Sequence, residues 1–246
     1  MKNRYDAIYL SPHLDDAVLS CGGAICARVR RGESVLVATL AAGDAPRVLS
    51  ELAQSLHAQW GVGPDASLRR EEDQNACRRL GAEVWHGATP DCIYRVNPED
   101  GVPLYRQLSD VFSRPHPADR AWAAWRDQIR ALPEADAVVA PLGVGGHVDH
   151  ILLRRAAEEA CGSTLLYYED FPYASRFLAV RRRIMFGRGW VPAVWELSDE
   201  DLLARCEASA LYSSQVDMMV GGVRRLEMKI RSYVRRRGGE RIWQRR

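Results

Sequence analysis

The 246-residue chain has no uninterrupted apolar run approaching about 18 residues, which excludes a membrane-spanning helix. Its opening, Met1 to Leu10, sets Asp6 among the first apolar residues and lacks the long apolar stretch of a secretory leader, so a cytoplasmic protein is expected. The six cysteines (Cys21, Cys26, Cys77, Cys92, Cys161, Cys206) form no Cys-x-x-Cys pair, which argues against a cysteine zinc site. At this length a disulfide framework is not expected either, and free thiols are the reading. No G-x-G-x-x-G occurs, and Gly22-Gly23 falls inside a helical segment rather than at its start, so a dinucleotide cradle is not expected. Zinc-finger and RRM signatures, internal repeats and low-complexity tracts are absent, and no nucleic-acid partner is expected.

What is present suits a sizeable core: 47% apolar and 27% charged residues. The net charge of +2 is unevenly spread, because Val223 to the end carries a net +8. Short apolar strands are expected at 6–10, 34–40, 83–86, 137–141 and 164–168, with helices at 15–31, 48–60, 67–80 and 150–160. Strands alternating with helices imply right-handed crossovers and a parallel sheet. The expected fold is an α/β, Rossmann-like three-layer sandwich with a mostly parallel central sheet, as one domain over residues 1–246. Between Pro90 and Leu132 prolines interrupt the pattern, giving either a cap over the site or an irregular surface excursion. Its aromatics (Tyr94, Tyr105, Phe112, Trp122, Trp125) read as local core more readily than as pocket wall. A basic helix is expected at about 217–237, with Leu226, Ile230 and Val234 on one side. That spacing suits a helix docked on its own domain, with peripheral contact to an anionic lipid or glycan as the alternative.

Two turns carry the chemistry. Ser11-Pro12-His13-Leu14-Asp15-Asp16 follows the first strand, and a His and a carboxylate three residues apart can point at one metal ion there. The adjoining Asp15 would then point elsewhere, as a free base, unless Asp15 or Asp16 merely caps the helix. Gly145-Gly146-His147-Val148-Asp149-His150 follows the 137–141 strand. His150 can complete a three-ligand set, leaving His147 as an acid or electrophile and Asp149 to orient an imidazole. Ligands in such sheets sit beyond the carboxyl ends of the strands, where both turns lie. Together they hold the parts for metal-assisted hydrolysis.

These segments resemble the PIG-L/LmbE-like de-N-acetylases. SPHLDDAVLSCGG is similar to that family's His-Pro-Asp-Asp-Glu run with its following Gly-Gly, and His147-Val148-Asp149-His150 to its His-Pro-Asp-His run. Ala42-Gly43-Asp44, and the helix with Arg69, Glu72, Ala76 and Leu80-Gly81, match in order between them. Leu14, Ala17 and Val148 depart from the pattern, and Gly145 stands where some members carry a tyrosine that assists at the oxyanion. The resemblance implies zinc, or Fe2+ or another divalent ion, on His13, Asp16 and His150. It implies Asp15 as general base and His147 as oxyanion stabiliser or general acid, with Asp149 fixing the tautomer of His147. Asp44, Arg69 and Asp91 would lie near sugar hydroxyls. The implied activity is removal of an acetyl group from an N-acetylated amino sugar in a larger conjugate. A family amidase acting on another acyl group or conjugate amide is the first alternative, and a non-catalytic sugar- or nucleotide-binding module the remote one. Trp60, Trp85 and Trp190 are read as packing residues, and His57, His86 and His116 have no expected partner. A homo-oligomer stays open.

Overall fold

In the computed structural model, which describes residues 1–60, 66–162, 165–185, 187 and 189–245, seven strands form one sheet. The elements run β1 (Arg4–Ser11), α1 (Asp16–Arg30), β2 (Val35–Thr39), α2 (Glu51–Trp60), α3 (Ser67–Leu80) and β3 (Glu83–His86). After a 3-10 turn at Cys92–Tyr94 come α4 (Leu108–Val111), α5 (Ala121–Ala131), β4 (Glu134–Pro141), α6 (Val148–Cys161) and β5 (Leu165–Tyr168). A second 3-10 turn at Tyr173–Ser175 leads to α7 (Ala179–Ile184), β6 (Trp190–Trp195), α8 (Asp199–Ala210), α9 (Ser213–Val220), α10 (Val223–Arg237) and β7 (Glu240–Arg245).

The strand order is β3-β2-β1-β4-β5-β7-β6. Pairings from β3 through β5 are parallel, and β7 joins both β5 and β6 antiparallel. The apolar run in β2 is buried along its whole length, as a strand covered on both faces requires. The antiparallel β6–β7 edge and α8 were not expected from the sequence. Ser198 and Asp201 form a reciprocal cap on α8, a short-range signal that was there to be read. Residues 217–237 are not one helix: Gly221 and Gly222, at φ +78° and +108°, end α9 and begin α10. Leu226, Ile230, Tyr233 and Val234 bury the apolar side of α10, so this helix docks on its own domain. Each such side chain contributes about 1.5–3 kcal/mol.

The expected Gly22-Gly23 feature has a packing role. A Cβ on Gly22 would lie 3.1 Å from the Arg205 side chain, and one on Gly23 would lie 2.5 Å from Leu197. The buried Arg205–Glu240 pair, 3.0 Å apart, bonds to α1 through this gap. Arg205 Nε donates to Leu19 O, and Glu240 accepts from the Gly23 and Ala24 N–H groups at 2.9 and 2.8 Å. These bonds hold the helix whose N-terminus carries Asp16.

In the 90–132 segment, Tyr105 and Trp125 are buried, as a local core predicts. Ile93, Leu104, Tyr105 and Val111 pack with Ala53 and Leu56 of α2, and with Val148, in a small second cluster. Trp85 and Trp190 are half-buried against the core, while the side chain of Trp60 and the expected strand start at Thr164 lie outside the described residues. All six cysteines are free, and only Cys161 is not fully buried.

Candidate active site

The β1 chain leaves the sheet at Ser11 and enters α1 at Asp16, while β4 leaves at Pro141 and re-enters a helix at Val148. β1 and β4 are parallel neighbours, so their following turns meet beyond the carboxyl edge. Ser11 Oγ accepts from Ala17 N–H at 3.0 Å and donates to His13 O at 2.7 Å, which shapes the first turn. Asp15 occupies the N-cap position of α1, yet its side chain makes no capping bond. The capping alternative is thereby removed and the carboxylate faces the cavity. In the second turn His147 is the N-cap of α6, its Nδ1 accepting from Asp149 N–H at 3.2 Å.

Asp16 Oδ2 lies 3.0 Å from His13 Nδ1 and 3.3 Å from His150 Nε2. Donors about 2.0–2.1 Å from a tetrahedral zinc ion stand roughly 3.3 Å apart, so these spacings fit a shared ion. The ring nitrogens of His13, His147 and His150 also lie within 4.8 Å of one another. Both His13 and His150 have a carboxylate on the far ring nitrogen. His150 Nδ1 is 2.7 Å from Asp170 Oδ1, and His13 Nε2 is 3.1 Å from Asp149 Oδ2 and 3.6 Å from Asp91 Oδ2. That arrangement is the usual support for metal-binding histidines.

Charge supports the same fit. Burial works against charge on His13 and His150, but the facing carboxylates win. Asp91, Asp149 and Asp16 hold His13 well above its ordinary value, and Asp16 with Asp170 pushes His150 up to about 10. Asp16 itself is held well below the carboxylate range, against burial, by His150 and His13. Without an ion, therefore, the carboxylates favour the protonated form of both imidazoles. A divalent cation entering here replaces those two protons and leaves the charge balance intact.

Asp149 differs from its expected role. Its carboxylate is taken by His13, by Cys92 N–H at 3.0 Å and by Arg95, and only its backbone N–H reaches His147. It therefore positions His13 through the side chain and sets the His147 tautomer through the main chain. Arg69 and Asp91 line the same cavity as His13, Asp15, Asp16 and His147, a space of about 370 Å³. Asp44 does not: it is exposed, and its Oδ1 accepts from Arg70 at 2.8 Å and from Ala66 N–H at 3.2 Å. The sequence reading missed Asp170, Arg95 and Tyr173. Asp170 and Tyr173 stand just after β5, the same edge rule that located the two turns. Arg95 offered no local signal, since its partners Asp119 and Asp149 are distant in sequence. The three remaining histidines do have partners: His57 Nε2 is 2.6 Å from Tyr94 Oη, His86 Nε2 is 2.8 Å from Asp73 Oδ2, and His116 Nδ1 accepts from Ala118 N–H at 3.2 Å.

Much of the remaining cavity wall is apolar (Leu19, Leu56, Ile93, Leu108, Val111, Phe112, Met218 and Met219), with Gln59, Gln215 and Tyr173 as its further polar side chains. Among the described residues no helix is long and apolar enough to cross a membrane.

The family profile for GlcNAc-PI de-N-acetylase, PIG-L, matches residues 8–161. The 2'-N-acetylparomamine deacetylase of Streptomyces fradiae is 32% identical over 221 residues, which span 85% of this chain and 73% of the relative. The zinc-inhibited form of teicoplanin deacetylase Orf2 superposes with a TM-score of 0.82 at 28% identity, over 98% of this chain and 97% of that one. The A40926 pseudoaglycone deacetylase Dbv21 gives 0.78 at 29% identity, over 98% and 97%. With the profile matched over residues 8–161 and a relative 32% identical across most of its length, this chain belongs to the PIG-L family of de-N-acetylases and is a hydrolase that cleaves an N-acyl bond.

Proposed function

We propose that this enzyme removes the acetyl group from an N-acetylated amino sugar within a larger conjugate, using a divalent ion, zinc by choice of donors, held by His13, Asp16 and His150. The observation that carries the reading is the convergence of those three donors beside Asp15 and His147 in one cavity. The names of the relatives, acting on acetylparomamine and teicoplanin, support the substrate class. When bound, the ion polarises the amide carbonyl and acidifies water.

The chain's own residues supply the proton path. Burial and the neighbouring Asp16 push the Asp15 carboxyl up to about 7, which suits a base working near neutrality. Asp15 takes the proton from the attacking water as oxygen bonds to the carbonyl carbon. Burial, with His13 and His150, pushes His147 down to about 3, so it is neutral at pH 7. Its Nδ1 accepts from Asp149 N–H, so the proton sits on Nε2 and is donated as a hydrogen bond to the developing oxyanion. This favours the oxyanion role over that of an imidazolium acid. Asp15 then returns its proton to the sugar nitrogen as the C–N bond breaks, and acetic acid and the free amine leave, ionising to acetate and ammonium in water. Arg69 and Asp91 contact the sugar, and residues 90–132 wall the site.

The apolar part of the wall favours a second reading of the substrate, one with a longer acyl group or an apolar aglycone against Phe112, Met218 and Met219. The test is metal analysis of the purified protein together with acetate release from an N-acetylglucosamine conjugate, and a panel of acetyl, propionyl and longer amides. About one ion per chain, with acetate release abolished by a chelator and restored by zinc, is expected. No ion after reconstitution overturns the ligand set, and preference for longer acyl groups selects the second reading.

A further inference from the structure

Just past the active site, the chain from Ala174 onward lines a second cavity of about 480 Å³ that the reaction does not use. Pro172 and Tyr173 face the catalytic cavity, whereas Ala174, Ser175 and Arg176 face this one. Five arginines converge on it: Arg176 and Arg181 from around α7, Arg236 and Arg237 from the end of α10, and Arg241 from β7. Arg237 and Arg241 flank the buried Glu169 carboxylate at 3.4 and 3.6 Å, and Tyr233 and Trp243 also donate to it. One carboxylate shared by four donors leaves little charge to spare. Arg176, Arg181 and Arg236 are exposed and have no ion-pair partner among the described residues. The buried Nε of Arg241 is without an acceptor as well. A cluster of positive charge left uncompensated by its own fold is suited to a ligand that brings negative charge.

The rim is also apolar. Phe177 and Leu178, which line the cavity, are 87% and 39% exposed. A protruding phenyl ring ringed by unpaired arginines matches the interface of an anionic bilayer, where guanidinium groups meet phosphates and apolar side chains enter the acyl boundary. A soluble phosphate would use the arginines but give Phe177 no partner.

We infer that this cavity and its Phe177 rim form a docking surface for the phosphate headgroups of an anionic phospholipid membrane, beside the catalytic cavity. Each arginine near such a surface contributes about fivefold in partitioning. The experiment is co-sedimentation of the full-length protein with vesicles of mixed phosphatidylglycerol and phosphatidylcholine, against phosphatidylcholine alone. More than tenfold preference for the anionic vesicles is expected, weakening with salt. The triple variant Arg176→Glu, Arg181→Glu, Arg236→Glu loses that preference, and Phe177→Ser lowers binding several-fold, with the melting temperature and hydrolysis of a water-soluble amide retained in both. Equal binding to the two vesicle types, no binding, or unaltered binding by the triple variant overturns the inference. Protection by glycerol 1-phosphate that is indifferent to Phe177→Ser, with no vesicle binding, assigns the cavity to a free phosphate ester and likewise overturns the membrane surface.

Discussion

Asp170 Oδ1 lies 2.7 Å from His150 Nδ1, and both side chains are buried. The other oxygen of Asp170 accepts from Val144 N–H at 2.7 Å, so one carboxylate aims the imidazole and anchors the turn that leads to His147. An imidazole held at one nitrogen presents the other in a defined direction.

Replacing Asp170 by alanine is therefore expected to weaken divalent-ion affinity about 10–100-fold, read by competition with a coloured chelator. Asp170→Asn keeps an oxygen acceptor and loses less. Unchanged affinity in the alanine variant would remove His150 from the ligand set.

Asp15 should separate chemistry from binding. Asp15→Asn retains the ion and loses most turnover, by about 10²–10⁴-fold for a general base. In chelator-treated protein the same change stabilises. The folded Asp15 carboxyl titrates at about 7 against 3.8 as its ordinary value. Its contribution to stability is therefore complete below about pH 4 and is lost as pH rises through about 7. The melting temperature of metal-free Asp15→Asn is expected to exceed that of the parent at pH 8 by several degrees, with the gap closing by pH 4. A gap that widens toward acid pH contradicts this account.

Arg95 joins two buried acids: its guanidinium lies 3.0 Å from Asp119 Oδ2 and also pairs with Asp149. Arg95→Met leaves Asp119 without a countercharge and Asp149 with His13 alone, a loss of about 3–5 kcal/mol. For a chain of this size that corresponds to roughly 10 °C in melting temperature. Because Asp149 also orients His13, ion affinity should fall in parallel, and a variant that melts early with intact affinity would confine Arg95 to a structural role.

Gly145 and Gly146 make a controlled pair. Both have positive φ, +94° and +82°, so either alanine variant strains the backbone. A Cβ on Gly145 also lies 2.6 Å from Tyr173 Cγ, whereas one on Gly146 meets its nearest neighbour, Phe112 O, at 3.6 Å. Gly145→Ala is therefore expected to lose distinctly more turnover than Gly146→Ala, since only the first displaces a cavity-lining ring. Equal losses in kcat would mean that the position of Tyr173 is irrelevant to the site.

The space beside Gly145 also explains the departure noted in the sequence. A larger residue there has no room, because the Tyr173 ring from the segment after β5 already fills it.

Much of this was legible in the linear chain because it depends on local spacing. A short apolar run, a turn and a helix start place His13, Asp15 and Asp16 together whatever the remainder does, and the same holds for His147 to His150. The parallel order of β1 and β4 follows from the helices between them, which is why two turns 130 residues apart could be expected at one edge. Tertiary structure alone decided which carboxylate faces which imidazole. Asp149 is two residues from His147 in sequence but supports His13, because α6 turns its side chain toward the opposite turn while its N–H stays at the helix start. Asp44 stands within a matching motif yet faces solvent, paired there with Arg70. Glu240 and Arg205 enter the gap at Gly22-Gly23 from elements far along the chain, and Asp170 reaches His150 from the end of β5. Such contacts arise from where elements cross, and side-chain direction at a crossing has no counterpart in sequence spacing.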